Sequence, residues 1–215
     1  MKRFVSSFLS LILGIGTIAL INSVDLKAEE SEITKIVYQQ EITDVNKCSD
    51  ITNEHDKTSF EKRIVINTIN SQLLEELNFE KNSNIKPTFW DRWEIKNFRK
   101  DNYNIIYPNN PLRVSTYGPG KGRMSINQIV AVDFTASTGI SFNMVEARVG
   151  FSLKASYGIE DTQEIQVPRG KRGRITAYTL YAQWRMDVYK NGKYVGQEFV
   201  HKPIGVSFNV DIFNK

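Results

Sequence analysis

The chain has 215 residues and a formal net charge of +4, and residues 1–28 carry Lys2, Arg3 and Lys27 against Asp25, so half of that excess sits in the first segment. The remaining surplus is too small for a general positive field that would gather nucleic acid. Cys48 is the single cysteine, which excludes an intrachain disulfide and any multi-cysteine metal site and leaves the fold to core packing.

Met1-Lys2-Arg3 followed by the uncharged apolar stretch Phe4–Ile21 and a polar exit ending in Leu26-Lys27-Ala28 has the three-part layout of a secretory signal peptide. The expectation is cleavage after Ala28 and a secreted, extracellular product; a retained anchor is the other reading of the same stretch. Residues 29–110 are rich in Asn, Asp, Glu and Lys, and are expected to form a mixed, partly helical region. Thr58 and Glu61 have capping-box spacing, and Phe60, Ile64, Leu73, Leu74 and Leu77 recur on a roughly helical period, which predicts a helix over 59–78. The β-branched run Ile64–Ile69 argues instead for a strand.

Residues 80–87 read as a polar linker, and 88–100 as an aromatic and basic patch containing Phe89, Trp90, Trp93 and Phe98 among Arg92, Lys96, Arg99 and Lys100. Such aromatics either bind glycans or a membrane–water interface, with Trp90 and Trp93 as the candidates, or pack the first region onto the second. Asn109-Asn110-Pro111 and Tyr117–Gly122 are chain breakers around a short strand at 112–116.

Residues 111–215 are expected to form the β-rich domain, so the fold class is mainly β: an elongated antiparallel sheet or sandwich with long strands. Val130, Val132, Phe134 and Ala136 alternate with polar residues up to a turn at Ser137-Thr138-Gly139. Ile140, Phe142 and Met144 keep the even parity, then Val145, Ala147, Val149, Phe151 and Leu153 take the odd one, which predicts a strand with a bulge near 144–145. Glu160-Asp161 suggests a turn, and residues 163–167 a short strand ended by Pro168. Arg169, Lys171 and Arg172 lie in a cationic loop, a candidate contact for anionic lipid or wall polymer, or else a solvated tip. Residues 178–188 form the longest clean alternation, Asn191-Gly192 is a two-residue hairpin signal, and the returning strand is expected to break at Pro203.

Catalytic chemistry finds little footing. His55 lies in a polar run and His201 at an expected bend; no His-Glu-x-x-His or Gly-x-Ser-x-Gly occurs, and Tyr117–Gly122 lacks the Lys-Ser/Thr ending of a phosphate loop. A non-enzymatic protein without cofactor or metal is expected.

The pattern from Phe151 to Tyr178 is an apolar strand, a turn, Gln163-Glu164-Ile165-Gln166-Val167-Pro168, a Gly/Lys loop and Ile175-Thr176-Ala177-Tyr178. It resembles the sheet region of aerolysin-type β-pore-forming toxins, of the epsilon-toxin and mosquitocidal-toxin branch. The resemblance implies a secreted protein that forms homo-oligomers on a target membrane or cell-surface component and inserts an amphipathic hairpin. That hairpin is expected over 130–154, with Val132, Phe134, Ala136, Val145, Ala147, Val149 and Phe151 facing lipid. The alternative is a soluble β-sandwich module that binds a surface polymer, a glycan or a protein partner.

Overall fold

The computed structural model describes residues 34–70, 73 and 92–215. The expected signal peptide, the linker at 80–87 and Trp90 lie outside the described residues. The described elements are β1 (Thr34–Ile42), α1 (Glu54–Ser59), β2 (Phe60–Asn70), β3 (Trp93–Ile105), β4 (Arg113–Tyr117), β5 (Gly120–Ala131), β6 (Asp133–Phe134), α2 (Phe142–Val149), β7 (Ser156–Val167), β8 (Lys171–Lys190) and β9 (Lys193–Asn214). The protein is mainly β, and every strand pairing among the described residues is antiparallel.

The β8–β9 hairpin is the spine. Its strands of 20 and 22 residues are closed by Asn191 and Gly192, both at positive φ (53° and 77°), as a tight hairpin turn requires. Sheet order is β1-β2-β9-β8-β3, with β4 continuing the β3 side of β8 and β6 continuing the β2 side of β9. The composition change near residue 110 does not break this sheet, because β2 and β3 from before it flank β9 and β8 from after it.

Two expectations are corrected along the spine's neighbours. The helix expected over 59–78 is strand over Phe60–Asn70, preceded by a six-residue helix, α1, capped by the Asn53 side chain; residues 71–78, apart from the helical Leu73, lie outside the described residues. The β-branched run Ile64–Ile69 wins because it pairs with both β1 and β9. Pro203 does not end its strand either. It stands beside a bulge at Ile204, between the stretch of β9 that pairs with β2 and the two residues that pair with β6, where its missing N–H breaks no ladder. Gly205 completes the bulge: a Cβ there would lie 1.9 Å from the Thr68 carbonyl oxygen, so β2 approaches only because the side chain is absent.

One face of the spine is covered in two halves. Over the carboxyl-terminal half of β9 and the start of β8, Met124, Ile126, Ile159, Ile165 and Val167 of β5 and β7 pack on Ile66, Ile175, Ala177, Val206, Phe208 and Val210. Over the hairpin-turn half, Val132, Ile140, Val145 and Leu153 from the segment between β5 and β7 pack on Leu180, Trp184, Met186, Val188, Val200 and Ile204. Each such fully buried aliphatic side chain is worth about 1.5–3 kcal/mol.

Charge fastens the segment before β2 to the far end of the spine. Asp211, fully buried on β9, accepts from Arg63 Nε (2.6 Å) and Nη2 (3.0 Å) and from Arg174 Nε (3.2 Å) and Nη2 (3.0 Å). Asp50 takes the other side of Arg63 at 2.5 and 2.9 Å and accepts from Tyr178 Oη at 3.0 Å. Burial alone would raise the Asp50 carboxyl, but hydrogen bonds and charge from Arg63 hold it below the ordinary carboxylate range. Cys48 is buried here beside Phe213, and burial pushes its thiol up, which makes it a core side chain of low reactivity.

Candidate functional site

β5 and β7 form a two-stranded ribbon in unbroken register from Gly120↔Val167 to Ala131↔Ser156, and their backbones pair with no other described strand. Side chains hold the ribbon to the spine. Its inward row carries the apolar residues named above, and its outward row is Lys121, Arg123, Ser125, Asn127, Ile129 and Ala131 opposite Ser156, Gly158, Glu160, Thr162, Glu164 and Gln166. Glu160-Asp161, expected to be a turn, is mid-strand. Asp161 points inward, accepting from Thr68 Oγ1 at 2.5 Å, and burial raises its carboxyl.

The chain between the two strands, residues 132–155, is the insert. It was expected to be the two arms of a hairpin, and here the structure differs. Of the first arm only Asp133 and Phe134 are strand, Val132 and Ala136 being irregular, while Val145, Ala147 and Val149 lie on α2 and Phe151 follows in a bend. Ser141 at the N-cap and Gly150 at the C-cap (φ 83°) bound this helix, whose Val145 is fully buried on the spine. Where a turn was expected at Ser137-Thr138-Gly139, the chain bends at Ser137 and Thr138, with Gly139 at φ 80°.

A short stretch of β9 holds the insert. Asp133 and Phe134 pair with His201 and Val200 as β6. The Glu198 carboxylate, 2% exposed, accepts from Thr138 N at 2.6 Å and Ser137 Oγ at 3.2 Å. Lys202 Nζ lies 5.2 Å from the Phe151 ring centroid and 4.4 Å from that of Tyr157, and Phe151 meets Trp184 edge-on. Across β3, the Arg148 guanidinium sits over Phe98 while its buried Nε has no hydrogen-bond partner.

His201 is the titratable member of this contact. Its Nε2 is 3.0 Å from Gln183 Oε1 and its Nδ1 is 3.0 Å from Tyr107 Oη and 3.5 Å from Asp133, while Tyr107 donates to Asp133 at 2.6 Å and the Tyr181 ring packs edge-on. Burial lowers the His201 pKa and Asp133 only partly offsets it. A base whose folded pKa lies below its unfolded value of about 6.5 contributes stability above that pH, and loses it as pH falls toward the folded value. Amide protection at residues 133–138, taken relative to the intrinsic exchange rate at each pH, is therefore expected to fall between pH 7 and pH 5, and His201→Gln to flatten that dependence. An identical pH profile in the variant would place the sensitivity elsewhere.

The other candidates are dispersed. Trp93 is half-buried at the start of β3 with Lys190 Nζ 5.0 Å from its ring centroid. Of the cationic loop, Arg169 is exposed, but Lys171 pairs with Glu61, and Arg172 reaches Asp56 at 2.6 Å and stacks on Phe213. The expectation of three loop cations presented to a surface is corrected to Arg169 alone, because carboxylates from α1 and β2 engage the other two. Glu198, Lys202 and Tyr107 gave no signal in the sequence, since their meaning comes from cross-strand pairing.

No helix among the described residues is long and apolar enough to cross a membrane, which leaves crossing by strands untouched. No family model matches the chain, and no curated protein matches its sequence.

Proposed function

We propose that this is a secreted, non-enzymatic protein that acts on membranes by oligomerising at their surface and refolding its insert into a β-hairpin continuous with the β5–β7 ribbon. One observation carries the reading: the insert has the sequence period of a strand although it rests as turns and a helix. From Val130 the even positions are Val132, Phe134, Ala136, Thr138, Ile140 and Phe142; up to Tyr157 the odd ones are Val145, Ala147, Val149, Phe151, Leu153 and Ala155. All four charged residues of the insert, Asp133, Glu146, Arg148 and Lys154, fall on the other rows.

Continuing the register Ala131↔Ser156 without a break would pair Phe134 with Leu153, Ala136 with Phe151 and Ile140 with Ala147, and put the turn at Asn143-Met144 rather than at 137–139. The apolar rows then run about thirteen residues on the first arm, from Val130 to Phe142, and about fifteen on the second, from Val145 to Ile159, against the 9–11 that a spanning strand needs. A local preference for strand within a segment packed as a helix is the kind of conflict that marks two competing folds. The unpartnered Arg148 Nε adds a cost to the resting state, and the apolar side chains that leave the spine would find lipid instead.

The test is dye release from vesicles by two adjacent variants. Ala136→Arg puts a charge on the lipid-facing row, at a cost of about 2–4 kcal/mol near the bilayer midplane, and should abolish release. Thr135→Arg faces the lumen and should release dye like the parent. Equal activity of the two variants, with equal melting temperatures, would refute the hairpin.

A further inference from the structure

The turn end of the spine is the second feature that invites a function. The β8–β9 turn and the start of β3 are joined as one rigid tip, with Asn191 N donating to Arg92 O at 2.8 Å and Asn191 Oδ1 accepting from Arg92 N at 3.2 Å. A bulge at Val195, where Val188 pairs with Gly196 but Tyr189 with Tyr194, turns side chains outward. Tyr194 is 58% and Val195 44% exposed, large values for an aromatic and an aliphatic residue side by side. Tyr189 stacks edge-on against Tyr194 at 5.5 Å, and Trp93 pairs with Lys190 across the sheet.

Cations surround these rings. Lys96 Nζ is 4.4 Å from the Tyr189 ring centroid, Lys190 lies over Trp93, and Lys193 and Arg92 are exposed. Among the described residues of the tip, Arg92, Lys96, Lys190 and Lys193 stand against Glu94 and Asp187. Both Asp187 oxygens already accept, from Asn97 at 2.6 Å and Gln197 at 2.9 Å, and Glu94 is bridged by Arg92 and Lys96. The chemistry left facing outward is therefore cationic, aromatic and aliphatic. A sugar would ask for open acceptors beside the rings, whereas lipid phosphates and the acyl boundary ask for this combination.

We infer that the tip formed by Trp93, Tyr189, Lys190, Lys193, Tyr194 and Val195 is a docking surface for bilayers rich in anionic lipid. The inference rests on the membrane reading above and adds where the first contact is made. It also fits the placement of the insert: a Cβ on Gly196 would lie 3.0 Å from Thr138 Cγ2, so the insert's turn reaches the docking end.

Co-sedimentation with vesicles of phosphatidylserine and phosphatidylcholine, compared with phosphatidylcholine alone, tests this on the full protein. The parent should bind the anionic vesicles at least about tenfold more tightly, since each cation near such a surface contributes on the order of 1 kcal/mol. Tyr194→Ser with Val195→Ser, and separately Lys193→Glu, should each weaken binding by about tenfold at an unchanged melting temperature. Unaltered binding by both variants overturns the inference, as does equal binding to the two vesicle types. Dye release measured on the same vesicles separates the two claims: binding that survives without release sinks the hairpin and keeps the tip, whereas release with parent-like binding by both variants sinks the tip and keeps the hairpin.

Discussion

A disulfide between Thr138→Cys and Gly196→Cys is expected to abolish dye release, and a reducing agent to restore it. The two positions face each other where the insert's turn meets β9, close enough for the Cβ separation of roughly 3.5–4.5 Å that a disulfide needs. The crosslink leaves the ribbon untouched, meets the spine only at Gly196, and fixes the insert in its resting place. Refolding into the extended hairpin would carry residue 138 along the ribbon axis and away from Gly196, so one covalent bond blocks it completely. Cys48 does not compete for oxidation, because it is buried beside Phe213. Full release by the oxidised protein would mean that release does not need the insert to move.

The second large effect concerns the ion network. Arg63→Ala should lower unfolding free energy by about 3–5 kcal/mol, because it leaves Asp211 and Asp50 buried with too few donors. Arg174→Ala should cost less, since Asp211 keeps Arg63 and Asp56 keeps Arg172. Urea unfolding at constant m measures both. The sign with pH follows from Asp50 and Asp56, whose carboxyls are held below the ordinary range: for both, burial pushes upward, and hydrogen bonds and charge from Arg63, or from Arg172 and Arg174, outweigh it. Their contribution is present above the unfolded value of about 3.9 and is lost as pH falls through the lower folded values. This window lies well below that of His201, so the two can be told apart. A loss under about 1 kcal/mol for Arg63→Ala would contradict the assigned role.

How much of this was legible in the sequence depends on how local the signal is. Asn191-Gly192 and the alternation over residues 178–188 identify the spine because a hairpin turn and a half-buried strand write their rules into neighbouring residues. The short strand β4 and the breaker after Tyr117 follow for the same reason. β2 was obscured by a capping pattern at Thr58 and Glu61 that has no helix to cap, since Asn53 caps α1 and pairing with β1 and β9 decides the rest. The ion network draws on Asp50, Arg63, Arg174 and Asp211, which only the sheet brings together.

The insert is the instructive failure. Its alternation predicts strands, and the resting fold makes Phe142–Val149 a helix because Val145 and its neighbours find a place on the hairpin-turn half of the spine. Tertiary packing outweighs the local pattern there. On the proposed reading the pattern belongs to the second fold, which explains why the residues singled out from the sequence keep one parity on each arm.

The measurement closest to the central claim is a nitroxide accessibility scan of single-cysteine labels from 144 to 152 on vesicle-bound protein. Alternation between oxygen-exposed and water-exposed positions with a period of two, odd positions facing lipid, is the predicted result. A period of 3.6, the same as in the free protein, would contradict the account.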